Sequence, residues 1–365
     1  MAVLLLIAGL VILVAGAEAF VRGAAGLARR LGISALVVGL TVVAFGTSAP
    51  ELAVALNASY AGEPDLAVGN AVGSNIFNIL LILGVTALVS PLVVDQKLVR
   101  LDMPIMLGAA ILLWVLAADG TLDRVESGVL AAGIVGYTLL AVILARRESA
   151  AVKAEYEASG ADDKAARLWV TLVLLAIGLA GIVIGSDLLV RGATQIALYL
   201  GVSELVVGLT IVAAGTSLPE VATSIVAALR GHRDIAVGNI VGSNIFNVLC
   251  ILGVTGLLTP MDLPFARSVL AFDLPVMVAA CVACLPIFLN GLRVGRVDGA
   301  ILLAAYIAYM LYVVLDAAGH DSLAEISGVT VWFVLPLSLI GFAGMLRRRA
   351  RKRRDGGDEP EATDE

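Results

Sequence analysis

Histidine and cysteine are nearly absent from this sequence, with two and three residues among 365. Both histidines, His232 and His320, fall in loops, so no imidazole is available for a zinc or copper site inside the apolar segments. The three cysteines, Cys250, Cys281 and Cys284, all lie within apolar runs. Cys281 and Cys284 stand one helical turn apart with no polar ligand nearby, so they read as small packing residues rather than a redox pair. Charge is scarce too, at 15% of residues, and the net charge of −6 carries less information than its distribution among the loops. Catalytic signatures are also missing. No H-E-x-x-H, no G-x-S-x-G and no serine–histidine pair occurs within the apolar segments, which argues against an enzyme.

What the sequence holds instead is apolar residue, 60% of positions, with strongly positive mean hydropathy. Soluble domains rarely exceed half apolar, and they lack repeated apolar runs of about 20 residues. The chain therefore reads as an all-α multi-pass membrane protein. Apolar runs bounded by polar or Gly/Pro loops place eleven spans at 2–28, 34–60, 65–89, 98–118, 124–145, 168–198, 203–229, 234–258, 268–289, 297–316 and 325–346. The opening MAVLLLIAGLVILVAGAEA lacks a positive n-region and continues into VRGA (21–24), which returns inside a later span at 190–193, so it reads as a retained first span. Alternate loops hold Arg29 and Arg30; Lys97 and Arg100; Arg146, Arg147, Lys153, Lys164 and Arg167; Arg230 and Arg233; Arg293 and Arg296. The opposite loops hold chiefly Arg124 and Arg267. Basic residues mark the cytoplasmic side, so the expectation is a cell-membrane protein with its N-terminus outside and its C-terminus cytoplasmic.

The charged segment 146–167 is the one substantial linker. Residues 32–89 and 201–258 align without a gap at a constant offset of 169, about three-fifths of positions identical. Weaker matches extend the duplication: DMP (102–104) answers DLP (273–275), and RVESGVLAA (124–132) answers RVDGAILLA (296–304). Each half then has five spans. Because five is odd, the second copy enters the membrane from the opposite side, giving a ten-helix inverted repeat. The expected organisation is a first five-helix repeat over 1–145, a cytoplasmic linker over 146–167 and a second repeat over 168–316. An additional C-terminal span lies at 317–346, and a cytoplasmic charged tail at 347–365.

Two motifs break the apolar pattern, VVAFGTSAPELAVAL (42–56) and IVAAGTSLPEVATSI (211–225). Proline removes a backbone donor and clashes with the carbonyl four residues earlier, so Pro50 and Pro219 are expected to break spans two and seven near Gly46 and Gly215. Irregular backbone at mid-membrane depth survives only where it lines a protein cavity. The carbonyls around 44–47 and 213–216 are expected to be freed as oxygen ligands, joined by the hydroxyls of Thr47, Ser48, Thr216 and Ser217. Glu51 and Glu220 supply negative charge at a depth where a charged side chain costs about 3 kcal/mol or more. Each third repeat span carries GNAVGSNIFN (69–78) or GNIVGSNIFN (238–247). Four-residue steps place Asn70, Ser74 and Asn78 on one helical face, and likewise Asn239, Ser243 and Asn247. The glycine pairs 69/73 and 238/242 permit close approach of a neighbouring helix. Carboxylates, hydroxyls, amide carbonyls and backbone carbonyls form an all-oxygen set suited to hard cations such as Ca²⁺, and Na⁺ fits the same oxygens.

These paired motifs closely resemble the two alpha repeats of the calcium/cation antiporter superfamily, in particular its sodium/calcium exchanger branch. The resemblance covers residues 1 to about 316. It implies a secondary active antiporter exchanging Ca²⁺ for Na⁺ by alternating access, with these ions as its substrates and no cofactor. It places the ion-binding carboxylates at Glu51 and Glu220, the hydroxyls at Thr47, Ser48, Ser74, Thr216, Ser217 and Ser243, and backbone ligands at Ala44 and Ala213. Asn78 and Asn247 complete the metal-site candidates. Some relatives have Asp where this chain has Asn247, so this core holds two carboxylates and offers little support for potassium co-transport.

A Ca²⁺/H⁺ antiporter using the same two glutamates is the nearest alternative, and a cation channel a distant one. Many hydroxyl and carbonyl ligands favour Na⁺, since a proton needs only the carboxylate, and a channel filter more naturally comes from symmetric subunits around an axial pore. No nucleic acid and no obligate protein partner is implied. The i,i+4 pairs Glu18/Arg22 and Asp187/Arg191 read as local ion pairs, and Asp102 and Asp273, each shortly before a proline, as helix N-terminal caps.

Overall fold

The computed structural model describes residues 1–158, 168–202, 207, 210–211, 213–289 and 291–317. It is mostly helical: among these residues nine helices are long and apolar enough to cross a membrane. We label the helices α1 (Ala2–Leu31), α2 (Ala35–Tyr60), α3 (Pro64–Val89), α4 (Leu98–Asp119), α5 (Arg124–Ala158), α6 (Leu168–Tyr199), α7 (Leu218–Leu229), α8 (Arg233–Leu258), α9 (Val269–Leu289) and α10 (Arg296–Ala317). Helix α7 is a short apolar helix, and the residues before it in the expected seventh span are only partly described. The expected eleventh span and the charged tail lie outside the described residues.

The helix ends follow local chemistry. At Gly32 the backbone turns left-handed (φ 61°, ψ 40°), and its N–H closes onto the carbonyls of Ala28 and Arg29, with Arg29 and Arg30 in the last turn. Ser34 then caps α2 by accepting the Val37 N–H at 3.4 Å.

Helices α1 and α6 pack along their length through glycines in seven-residue steps, Gly9, Gly16 and Gly23 against Gly178, Gly185 and Gly192. A Cβ on Gly16 would lie 2.6 Å from the Ile182 nitrogen, and one on Gly192 2.6 Å from the Leu6 nitrogen. Contacts that climb along α1 (Leu6, Leu13, Phe20) descend along α6 (Gly192, Gly185, Gly178), so the helices run antiparallel. The glycines also correspond one to one at the repeat offset of 169. Equivalent helices of opposite direction are what an inverted repeat requires.

Two short ribbons point the same way. Strand β1 (Leu92–Val93) pairs antiparallel with β4 (Arg293–Val294), and β2 (Thr121–Leu122) with β3 (Leu263–Pro264). Each joins a loop of the first half to a non-equivalent loop of the second. Two halves of like orientation would put those loops on opposite faces of the membrane.

The centre of the molecule belongs to α3 and α8, which are 72% and 94% buried, against 28% for α1 and α6. The polar stripes therefore sit inside the protein. The glycine stripe of α8 presses on α2 as its spacing predicts: a Cβ on Gly242 would lie 2.7 Å from the Leu40 carbonyl. Both α3 and α8 loosen to π-helical turns just past their GSN motifs, at Phe77–Ile82 and Asn247–Leu252, and α2 does so at Gly39–Val43. Such wide turns re-aim side chains and are common at functional sites.

The local ion pairs form as read, Arg22 to Glu18 at 2.6 Å and Arg191 to Asp187 at 2.9 Å. Glu18 also takes Arg230, at the end of α7, at 2.6 Å. The reading of Asp102 and Asp273 as caps is overturned. Asp102 makes no capping bond; it is buried and accepts the Tyr137 hydroxyl of α5 at 3.1 Å, and Asp273 accepts that of Tyr309 of α10 at 2.9 Å. Both aspartates end a π-helical stretch, Leu98–Asp102 and Val269–Asp273, that runs on into the next helix, so there is no free helix terminus to cap. Tyr137→Phe is accordingly expected to destabilise the detergent-solubilised protein by about 1–3 kcal/mol, because it strips the buried Asp102 of a donor. Thermal melting of the variant beside the unmodified chain measures this, and an unchanged midpoint would contradict it.

Candidate cation site

Helix α2 runs without a gap to Thr47, breaks at Ser48 (φ −86°, ψ 2°) and restarts at Ala49 with Pro50 and Glu51 in its new first turn. The second copy does the same: Thr216 and Ser217 form the break, and α7 begins at Leu218 with Pro219 and Glu220 in its first turn. Each break thus lies about two residues later than expected. Proline is tolerated where no intrahelical donor is required, so the new helix starts just ahead of it and the irregular residue is the serine before that start. Both glutamates sit at helix N-termini, where the helix dipole stabilises negative charge.

The expectation of freed carbonyls needs correction as well. The Ala44 carbonyl still accepts the Ser48 N–H at 3.0 Å, and the Ala214 carbonyl accepts that of Ser217 at 3.2 Å. The helix closes its last bonds right up to the break, so Ala44 offers a second lone pair rather than a bare carbonyl. Gly46 is different, because the donor it would meet four residues on is Pro50, which has none.

The side chains cross between halves. Ser48 donates to Glu220 Oε1 at 3.0 Å, and Ser217 donates to Glu51 Oε1 at 3.2 Å. Ser217 also lies 3.1 Å from the Ser74 hydroxyl. Ser217 has one proton, so while it donates to Glu51 it receives from Ser74. Thr47 reaches Asn239 Oδ1 at 3.0 Å, and its counterpart Thr216 reaches Asn70 Oδ1 at 3.2 Å. Every one of these bonds therefore has a twin under exchange of the halves, apart from that between Ser217 and Ser74.

Both carboxylates are 1% exposed, and each keeps one oxygen, Oε2, with no hydrogen-bond partner among the described residues. A buried carboxylate oxygen without a donor is expensive unless a cation or proton meets it. Ser243 Oγ, Asn247 Oδ1 and both polar atoms of Asn78 are likewise buried and unpartnered among the described residues. The structure thus joins Glu51, Glu220, Ser48, Ser217, Ser74, Thr47 and Thr216 in cross-half hydrogen bonds, and leaves Ser243, Asn78 and Asn247 outside them with oxygens unspent. Of Ala213 only the backbone is described, in the helical turn Ala213–Gly215.

Three residues of this network escape the candidate set drawn from the sequence. Asn70 and Asn239 head the polar stripes but were not among the expected ligands. Ser224, which accepts from Asn239 Nδ2 at 3.0 Å, stands one turn after Glu220. Its only signal in the sequence is that the first half has Ala55 at the matching position.

A buried set of paired carboxylates and hydroxyls, shared by two broken membrane helices, has the oxygen chemistry that suits hard cations. The family model for sodium/calcium exchanger proteins matches residues 1–143 and 170–315, and the chain belongs to that family, one of cation antiporters and not of enzymes. It is 41% identical over 316 residues to CaxA of Alkalimonas amylolytica, spanning 84% of this chain and 97% of that protein. Identity to the sodium/calcium exchanger MaX1 of Methanosarcina acetivorans is 34% over 352 residues, spanning 84% of this chain and 97% of the relative. The solved structure of the sodium/calcium exchanger from Methanococcus jannaschii superimposes with a TM-score of 0.73 at 35% identity, over 85% of this chain and 97% of that one.

Proposed function

We propose that the chain exchanges Ca²⁺ for Na⁺ across the cell membrane by alternating access, electrogenically, as a five-plus-five inverted repeat with one added span. The N-terminus lies outside and the C-terminus in the cytoplasm. The observation that carries this reading is the reciprocal bonding of each broken helix's serine to the other half's glutamate, with one oxygen of each buried carboxylate left for a cation. Glu51 and Glu220 hold the charge of Ca²⁺. Ser48, Ser74, Ser217, Ser243, Thr47, Thr216, Asn78, Asn247 and the carbonyls of Ala44 and Ala213 complete the oxygen shells that Ca²⁺ and Na⁺ occupy in turn. An empty site carries up to two negative charges in a low-dielectric interior, which opposes crossing without a load and so enforces exchange over leak. Helices α1 and α6, packed on glycine against each other, are the sliding element.

Three Na⁺ entering per Ca²⁺ would move one net charge. A tenfold Na⁺ gradient then supplies about 4 kcal/mol and a potential of about 100 mV a further 2.3, enough for a Ca²⁺ gradient of about four decades. The test is ⁴⁵Ca²⁺ uptake into proteoliposomes under an outward Na⁺ gradient, an outward H⁺ gradient, or neither. Uptake with Na⁺ alone is the expected result. Uptake with H⁺ alone would make the glutamates proton carriers, uptake with neither gradient would indicate a channel, and no uptake at all would end the calcium reading.

A further inference from the structure

The two halves of the cage differ at one point. The Thr47 hydroxyl has a single proton and several acceptors around it: Asn239 Oδ1 at 3.0 Å, the Val43 carbonyl at 3.2 Å, the Ala44 carbonyl at 3.3 Å and the Glu220 carboxylate. Threonine in a helix ordinarily bonds back to the carbonyl one turn earlier. Here the amide of Asn239 takes the proton, provided that its oxygen faces Thr47. That orientation is braced from the far side, where Asn239 Nδ2 donates to Ser224 at 3.0 Å. Asn239 and Ser224 are both completely buried, so water cannot replace either partner.

The counterpart lacks the brace. Asn70 accepts from Thr216 at 3.2 Å, but its Nδ2 has no hydrogen-bond partner among the described residues. At the position matching Ser224 stands the buried methyl of Ala55.

We propose that Ser224 and Asn239 are positioning residues that fix Thr47 and the Ala44 carbonyl as oxygen ligands for Na⁺, and that Ala55 leaves the Thr216 side of the cage compliant. With the amide braced, the Thr47 proton is taken up by Asn239, so the Thr47 lone pairs and the Ala44 carbonyl both stay open to a cation. Without the brace, either orientation of the amide leaves one of its ends unpaired. In the turned orientation Nδ2 donates to Thr47, and the Thr47 proton returns to Val43 or Ala44. One Thr47 lone pair is then taken by the amide and, when the proton goes to Ala44, that carbonyl's second lone pair is taken as well. Neutral oxygens matter most to monovalent ions, whereas Ca²⁺ is held chiefly by the two carboxylates, so Na⁺ binding suffers first. This inference rests on the proposed exchange of Na⁺ for Ca²⁺ at this site.

The experiment is Na⁺ displacement of ⁴⁵Ca²⁺ from the purified full-length protein, which reports binding without requiring transport. Ser224→Ala is expected to raise the Na⁺ concentration for half-displacement about fivefold while shifting half-saturating Ca²⁺ by less than about twofold. Ser224→Thr, which keeps the hydroxyl, should restore the unmodified Na⁺ dependence. Ala55→Ser, which supplies the missing acceptor, should lower the Na⁺ requirement by about twofold to threefold. Unchanged Na⁺ dependence in Ser224→Ala, or equal shifts for Na⁺ and Ca²⁺, would overturn the proposal. ⁴⁵Ca²⁺ binding that Na⁺ fails to displace from the unmodified protein would overturn the Na⁺ reading on which it rests. ⁴⁵Ca²⁺ displaced normally from both proteins, with only transport altered, would refute the positioning role and leave the exchange reading standing.

Discussion

Glu51→Gln is expected to lower Na⁺-driven ⁴⁵Ca²⁺ uptake by about a hundredfold or more while leaving the protein folded. Glutamine has the same shape and still offers an oxygen to Ser217, which now donates to Glu51 at 3.2 Å. What it lacks is the charge on the second oxygen, Oε2, which has no partner among the described residues. In a buried site, removing one member of an ion pair typically costs about 3–5 kcal/mol, and each 1.4 of these is a factor of about ten. The same change relieves the uncompensated charge of the empty site, so the thermal midpoint without ions should hold or rise while its increase on adding Ca²⁺ disappears. Initial uptake rates at matched protein, with melting curves at several Ca²⁺ concentrations, measure both. Uptake within tenfold of the unmodified protein would remove Glu51 from the ligand set. Glu220→Gln should behave alike, because its oxygen is held by Ser48 in the mirrored way.

The second large effect is expected at Gly16. A Cβ there would fall 2.6 Å from the Ile182 nitrogen and 2.9 Å from the Gly178 carbonyl. Both are backbone atoms, which cannot swing aside as the end of a side chain can. Gly16→Leu must therefore push α1 and α6 apart along a contact that repeats every seven residues, and overpacking of this kind costs about 1–3 kcal/mol even where neighbours can yield. The expected outcome is loss of transport and a thermal midpoint lower by about 5 °C or more. Gly136→Ala is the control, since a Cβ there meets nothing within 4 Å among the described residues and alanine suits a helix better. Equal behaviour of the two variants would contradict the close packing of α1 on α6.

How much of this was legible in the sequence depends on the kind of signal. A proline and a carboxylate inside a lipid-grade segment are anomalies that only function explains, so Glu51, Glu220 and the two broken helices stood out. The duplication was equally plain, and parity gave the expectation of an inverted second copy, with which the antiparallel run of α1 and α6 agrees. The partners across the duplication were not: that Ser48 serves Glu220 and Ser217 serves Glu51 depends on how the halves cross in space. Asp102 shows the opposite failure. Its place two residues before Pro104 imitates a helix start, while its real partner, Tyr137, lies one span further on at no recognisable spacing. The glycine ladder was written in the chain at 9, 16 and 23 and again at 178, 185 and 192, yet apolar runs counted by length pass over it. Backbone contact, which makes those glycines necessary, becomes visible only once two helices are placed together.

The twinned contacts also bear on ancestry. A protein consisting of the first half alone, inserted into the membrane in both directions, would meet a second copy of itself across the same axis. Its serine would reach the other copy's glutamate and its threonine the other copy's asparagine, so the cage would exist before any duplication. Such a dimer is bound to be symmetric, because one gene writes both sides. Joining two such copies in one chain would release that constraint, and the present difference between Ser224 and Ala55 is of the kind only a fused chain can hold, since it alters one side and leaves the other alone.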